Sequence, residues 1–211
     1  MTGYLEAVSA GVVVDVPWGN LRRSGIDKRP VEGPVRVSAA GVGGDEIADT
    51  VFHGGVDQAV YAYAGEDLDD WAAELGRPLS PGQFGENLTT RGIDVQEARL
   101  GERWRIGTVV LEVCDVRIPC SVFQGFLDEP RWVRRFTEKG VPGAYLRVVQ
   151  EGTVEAGDAV EVVERRDHDL TVALTFRAMT TQRDLLPRFA VEPRVSAKIA
   201  RRVAALAADD G

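Results

Sequence analysis

The chain has few of the residues that build metal sites or disulfide frames. Its 211 residues include two cysteines, Cys114 and Cys120, and two histidines, His53 and His168. The cysteines do not form a Cys-x-x-Cys pair and neither histidine is near them in sequence, so a structural zinc site is not expected. A single bridge across so short a step would add little to a domain of this size, which argues against a secreted disulfide scaffold. No apolar run reaches the roughly 18 to 20 residues that span a bilayer. Met1 to Ala10 also lacks a basic start followed by an apolar stretch. No membrane association and a cytoplasmic location are the expectations. Nucleophile-elbow, kinase and P-loop signatures are missing as well. Gly41 to Gly44 is glycine-rich but has no following Lys-Ser/Thr, and it reads as a turn.

What is present is an ordinary globular composition, 44% apolar and 27% charged, in a chain long enough for one sizeable core. The net charge is −8 and unevenly spread. Residues 165–211 hold nine Arg or Lys against six Asp or Glu, which is +3 and leaves −11 for the rest. The acidic bulk argues against nucleic acid as a partner, so any anionic ligand must be held by local groups.

Along residues 1–166 the pattern is mainly β: short β-branched runs between glycine turns, as suits a barrel of tightly turned strands. Glu66 to Leu75 is the clearest helix of the first half, with Leu68, Trp71, Ala72 and Leu75 on one face and Gly76 closing it. Its carboxylates read as a solvated face. Asp128, followed by Pro130, is the expected cap of a helix burying Trp132, Val133 and Phe136. After the charged junction at Arg165 to His168 the style changes. Residues 167–211 suggest a small three-helix domain: one helix capped by Asp169, one over Gln182 to Phe189 and one from about Arg194 to Ala208.

The stretch Thr108 to Phe126 is the one that needs a chemical explanation. It reads as a strand ending at Ile118, with Pro119 opening a helix that carries Cys120 in its first turn. A thiol there faces unpaired amides and the positive end of a helix dipole, which favours the thiolate that attacks electrophiles or binds soft metals. The plain alternative is a buried small hydrophobe, a role that Cys114, inside the strand, fits better. His53 precedes Gly54 and Gly55, which allow positive φ or close backbone approach. By itself it reads as a loop histidine. Glu86 and Asn87 place two strong hydrogen-bonding side chains in a turn, where Asn87 also suits a simple Asx turn.

Taken together, His53-Gly54-Gly55-Val56-Asp57-Gln58-Ala59, then Phe84-Gly85-Glu86-Asn87-Leu88, then Pro119-Cys120 resemble the MOSC domains, named after the C-terminal part of molybdenum cofactor sulfurases. The resemblance is closest to the bacterial YiiM-like branch, in which such a domain (here residues 1–166) is followed by a three-helix domain (167–211). It implies a β-barrel-like domain with peripheral helices and a pocket around Cys120. It also implies binding of the molybdenum cofactor, molybdopterin, with the Cys120 sulfur as an added metal ligand; pyridoxal phosphate is not called for. Some relatives of this kind are oxidoreductases that reduce N-hydroxylated purines or amidoximes, a detoxifying reaction, with electrons from a separate donor protein. On this resemblance His53 donates a proton during N–O reduction, Gly54 and Gly55 admit the cofactor, Asn87 and Glu86 hold the pterin or substrate, and Arg117 and Arg147 grip the phosphate. Each arginine has a plain alternative as a strand-surface charge. Val56 and Gln58 depart from the family pattern, which commonly has Pro and a basic residue there. The competing readings are a sulfur carrier with a Cys120 persulfide, and a binding module whose helical tail recruits a partner. A small-molecule substrate is expected, and a homodimer is compatible with the sequence.

Overall fold

A computed structural model describes residues 2–49 and 54–209. Seven strands form its frame: β1 (Thr2–Ala10), β2 (Val60–Ala64), β3 (Leu88–Arg91), β4 (Arg103–Ile106), β5 (Val109–Val116), β6 (Ala144–Gln150) and β7 (Ala159–Glu164). They pair in the order β7-β4-β5-β6-β2-β3-β1, and β1 returns to β7 with Thr2 opposite Glu161, so the sheet closes into a barrel. Closure removes the exposed edges that an open sheet would leave. Each antiparallel neighbour reverses strand direction, so a closed ring must contain an even number of antiparallel pairs. Seven strands therefore require a parallel one. It is β2–β3, with Ala62 opposite Leu88, and its crossover carries helix α1 (Gly65–Leu75).

The strand pattern follows from burial on both faces. In β5, Val109, Leu111, Val113, Cys114 and Val116 are all fully buried, because the barrel interior lies on one side and helices cover part of the other. Helix α1 buries Leu68 and Trp71, points its acidic residues outward and ends at Gly76 in the left-handed region. Trp71 then meets Trp132 and Phe136 of α3 (Trp132–Lys139), at centroid separations of 4.5 and 6.1 Å. Phe84 lies 5.2 Å from Phe123 of α2 (Ser121–Leu127) and 5.5 Å from Trp132. This aromatic cluster locks α1, α2 and α3 to the turn that carries Phe84.

Several local expectations are corrected. Asp128 is the left-handed C-cap of α2 rather than an N-cap, and α3 is preceded by Arg131, also at positive φ. Thr171, not Asp169, caps α4 (Val172–Thr180), accepting from the Leu174 amide at 3.2 Å, while Asp169 pairs with Arg188. The second of the three C-terminal helices differs in type: between α4 and α5 (Ala197–Asp209), residues Arg183–Val191 form a 3-10 helix containing Pro187. Proline lacks an amide donor and clashes with the preceding turn, which disfavours an α-helix there. Backbone bonds from Leu100 to Leu170, from Val172 to Ala98 and from Ser196 to Cys114 fasten this segment to the barrel. No helix among the described residues is long and apolar enough to cross a membrane.

One surface carboxylate of α1 is not wholly solvated. Burial pushes the Asp67 carboxyl up from 3.8 to about 6, with the Gln96 side chain, donating at 2.7 Å, opposing the rise. The native state therefore holds this proton more tightly than the unfolded chain does. The stability it contributes is complete below the unfolded value and is lost as pH rises through about 6. Asp67→Asn is expected to be more stable than wild type by about 2 kcal/mol above about pH 7, and no more stable in acid. Urea unfolding on both sides of that window is the check; an equal gain at both would assign the effect to something other than ionisation. The new amide also offers a donor near the Gln96 Oε1, which is buried without a partner.

Candidate functional site

A pocket of about 510 Å³ opens beside the start of α2. Its walls come from residues 20–28, 45–49, 54–61 and 117–122, with Gly85, Asn87 and Tyr145, and Lys198 and Arg202 of α5. Cys120 is part of this wall. It is the N-cap of α2, extended at φ −133° and ψ 172°, and its carbonyl receives the Gln124 amide at 3.1 Å. The helix begins at Ser121, two residues later than expected, so Pro119 lies outside it and Cys120 takes the cap position. Cys120 is half-buried and Cys114 fully buried; neither is in a disulfide. The Cys114 Sγ sits 3.1 Å from the Asp57 carbonyl oxygen, and burial raises its pKa far above the ordinary thiol range, so it is inert packing.

Arg117 also lines the pocket although only 7% of it is exposed. Its guanidinium lies 4.4 Å from the Phe123 ring centroid and 5.3 Å from that of Tyr61. Its Nε is buried without a hydrogen-bond partner. Burial works against its charge, yet neighbouring Tyr145, Tyr61 and Cys120 hold its pKa above the usual arginine value. Lys28 donates to Asp45 in a buried ion pair. Burial lowers the Lys28 pKa, and Asp45 only partly offsets this. Burial likewise raises Tyr61 and Tyr145, which stay protonated as hydroxyl donors.

Asn87 knits this wall together. Its Oδ1 accepts from the Tyr61 amide at 3.1 Å, and its Nδ2 donates to the Ser9 carbonyl at 3.2 Å and to Asp45 at 2.9 Å. Asn87→Ala is expected to lose about 2 to 3 kcal/mol of stability, because the Tyr61 amide and Ser9 carbonyl would be stranded in a buried site. Chemical denaturation measures this, and a loss below about 0.5 kcal/mol would mean that Asn87 is dispensable to the scaffold. Glu86 is fully buried and accepts from the Gly82 and Phe84 amides and the Thr89 hydroxyl at 2.6, 2.9 and 3.0 Å. It shapes the turn and is absent from the pocket wall.

Of the other anticipated residues, Gly54 lines the pocket at φ 81°, where an added Cβ would come within 2.9 Å of Ile47. Gly55, at φ 77°, caps the short 3-10 turn Val56–Gln58. Arg147 lies outside the wall; it pairs with Asp57 at 2.7 Å and Glu112 at 3.3 Å and donates to the Val195 carbonyl. His53 lies outside the described residues. Lys28, Asp45, Tyr61, Tyr145, Lys198 and Arg202 were not singled out by sequence. The one available signal was a lysine in the polar stretch Ser24 to Pro30.

A closed seven-stranded barrel with a half-buried thiol and a buried arginine on the wall of one cavity defines a barrel protein with a polar pocket at the start of a helix. The matching family profile, the MOSC domain, covers residues 49–161, and the chain belongs to the MOSC domain family. It is 34% identical to YflK of Bacillus subtilis (strain 168) over 159 residues, 75% of this chain and 72% of YflK. A protein of Gibberella moniliformis (strain M3125 / FGSC 7600) named "Reductase" is 35% identical over 169 residues; the match takes in 77% of this chain but 30% of that longer protein. Among solved structures, YiiM from Geobacillus stearothermophilus superposes with a TM-score of 0.79 at 29% identity, covering 95% of this chain and 99% of YiiM.

Proposed function

We propose that the protein holds the molybdenum cofactor in this pocket and reduces N-hydroxylated compounds, such as N-hydroxylated purines or amidoximes. The observation that carries the reading is the convergence of Cys120, Arg117 and Lys28 on one cavity of about 510 Å³, within the size range of cofactor sites. The donor set fits such a group. A thiolate is a soft ligand suited to molybdenum, and Arg117, a buried cation on the same wall, suits an anionic group. A metal bound at Cys120 would bring most of its own ligands, since the described residues hold no cluster of three or more His, Cys, Asp or Glu placed to bind one.

When bound, the cofactor supplies the two-electron redox chemistry of the reaction. That reaction breaks the N–O bond, takes in two electrons and two protons, and yields the amine and water. Cys120 anchors the metal from the protein side. Arg117 balances negative charge, and its stacking on Phe123 and Tyr61 keeps it in place. Lys28 gives up a proton more readily than an exposed lysine and is the described group best suited to protonate the departing oxygen. Asp45, fixed by Asn87 and by the Gly11 amide at 2.9 Å, orients it. Electrons come from a separate donor protein.

The test is metal and pterin analysis of protein purified from a host that makes the cofactor. Roughly one molybdenum and one pterin per chain is the expected result; protein lacking both refutes the proposal. A labile sulfur on Cys120 without pterin, seen by mass spectrometry, would instead identify a persulfide carrier.

A further inference from the structure

Helix α5 begins among groups that tie it to the barrel. Asp57 accepts from the Ala197 amide at 2.8 Å, and the Ser196 hydroxyl donates to buried Asp115 at 2.9 Å. Ser196 also caps the helix, accepting from the Ile199 amide at 3.2 Å, and its own amide donates to the Cys114 carbonyl. So anchored, α5 directs Lys198 and Arg202 to the Cys120 pocket. Residues four apart share a helix face, which makes these two cations one feature.

The charges around the pocket run against those of the whole molecule. Its wall holds the cations Arg23, Lys28, Arg117, Lys198 and Arg202 against the carboxylates Asp45, Glu46 and Asp49, a balance of 5 − 3 = +2 in a chain of −8. Lys28 is already matched by Asp45. Lys198 has only a long contact to Asp115, 3.7 Å, and Arg202 donates to the Met179 carbonyl at 3.0 Å. No carboxylate among the described residues pairs with Arg202 or with Arg117. Arg117, buried on the same wall against the Phe123 and Tyr61 rings, adds a third cation to this side of the cavity.

We infer that Lys198 and Arg202 make the C-terminal helix a phosphate-holding wall of the Cys120 pocket, which therefore takes a ligand bearing a phosphate monoester. A dianion with several acceptor oxygens can satisfy a lysine and two arginines at once, and a neutral ligand would leave them unmatched. The inference deepens the pocket reading above and does not depend on molybdenum being the metal. The phosphate belongs either to the cofactor or to a nucleotide substrate.

The probes are inorganic phosphate and the pair AMP and adenosine, titrated calorimetrically into the purified full chain. Wild type is expected to bind inorganic phosphate, more weakly at high salt, and K198Q/R202Q to bind it at least about tenfold more weakly with an unchanged unfolding midpoint. Cys120→Ser should bind phosphate like wild type, which separates failure of the metal reading from failure of this one. Should the double variant fold poorly, R202Q alone, at an exposed position, should still show a several-fold loss. If pterin content falls together with phosphate affinity, the phosphate is the cofactor's. If pterin is retained and only wild type prefers AMP to adenosine, it is the substrate's. Absence of phosphate binding by wild type, or equal affinity in wild type and variants, overturns the inference.

Discussion

Cys120→Ser protein, loaded in a cofactor-competent host, is expected to lose reduction of N-hydroxylaminopurine by more than 100-fold while folding normally. Partners that only orient a metal ligand are typically worth about 10- to 100-fold, and removing the ligand itself should exceed that. A serine hydroxyl is a harder donor and is not ionised at neutral pH, so it does not replace a thiolate at a soft metal. Folding should survive because Cys120 is half-buried and occupies an N-cap, a position that serine favours. The unfolding midpoint should be equal or slightly higher. Substrate consumption followed by chromatography, with molybdenum content measured on the same sample, decides the matter. Undiminished turnover would remove Cys120 from the chemistry.

Phe84→Ala should have the largest effect on stability, about 3 to 5 kcal/mol. The ring is fully buried, with centroids of Tyr63, Phe123, Trp132, Trp71 and Phe136 between 5.1 and 6.2 Å away. Its removal leaves a cavity at the meeting point of α1, α2 and α3, which relaxation can fill only in part. Gly85 and Asn87 follow at once and line the pocket, so ligand binding should weaken along with stability. Equilibrium urea unfolding beside Val191→Ala, at a residue 76% exposed and expected to change little, provides the comparison. A loss under about 1 kcal/mol for Phe84→Ala would show that the aromatic cluster does not brace the site.

The parts of this molecule that were legible in sequence are those specified locally. Leu68, Trp71 and Gly76 mark α1 by period and cap, and the strand-to-helix corner at Pro119 is visible within a few residues. The departures come where distant groups decide. Asp128 and Arg131 take positive φ, a conformation that aspartate tolerates but that arginine does not announce. Asp169 looked like a cap, yet Arg188 claims its carboxylate and Thr171 caps instead. Arg147 looked available to a phosphate, but Asp57, 90 residues earlier, holds it. The Lys28–Asp45 pair, Tyr145 and the cations of α5 enter the pocket only through barrel closure and helix docking, which no short pattern encodes.

The lone parallel pair in the ring also decides where the turns lie. Two antiparallel neighbours enter the sheet from opposite rims, whereas β2 and β3 enter from the same rim. The segment leading into β2, with Gly54, and the turn leading into β3, with Glu86 and Asn87, are thereby brought side by side. The Tyr61 amide reaching Asn87 Oδ1 and the Asn87 amide reaching the Tyr61 carbonyl are the seam between them. An even-numbered, wholly antiparallel barrel with the same sequence motifs would put these two entrances on opposite mouths of the barrel, with no shared cavity for a ligand to occupy.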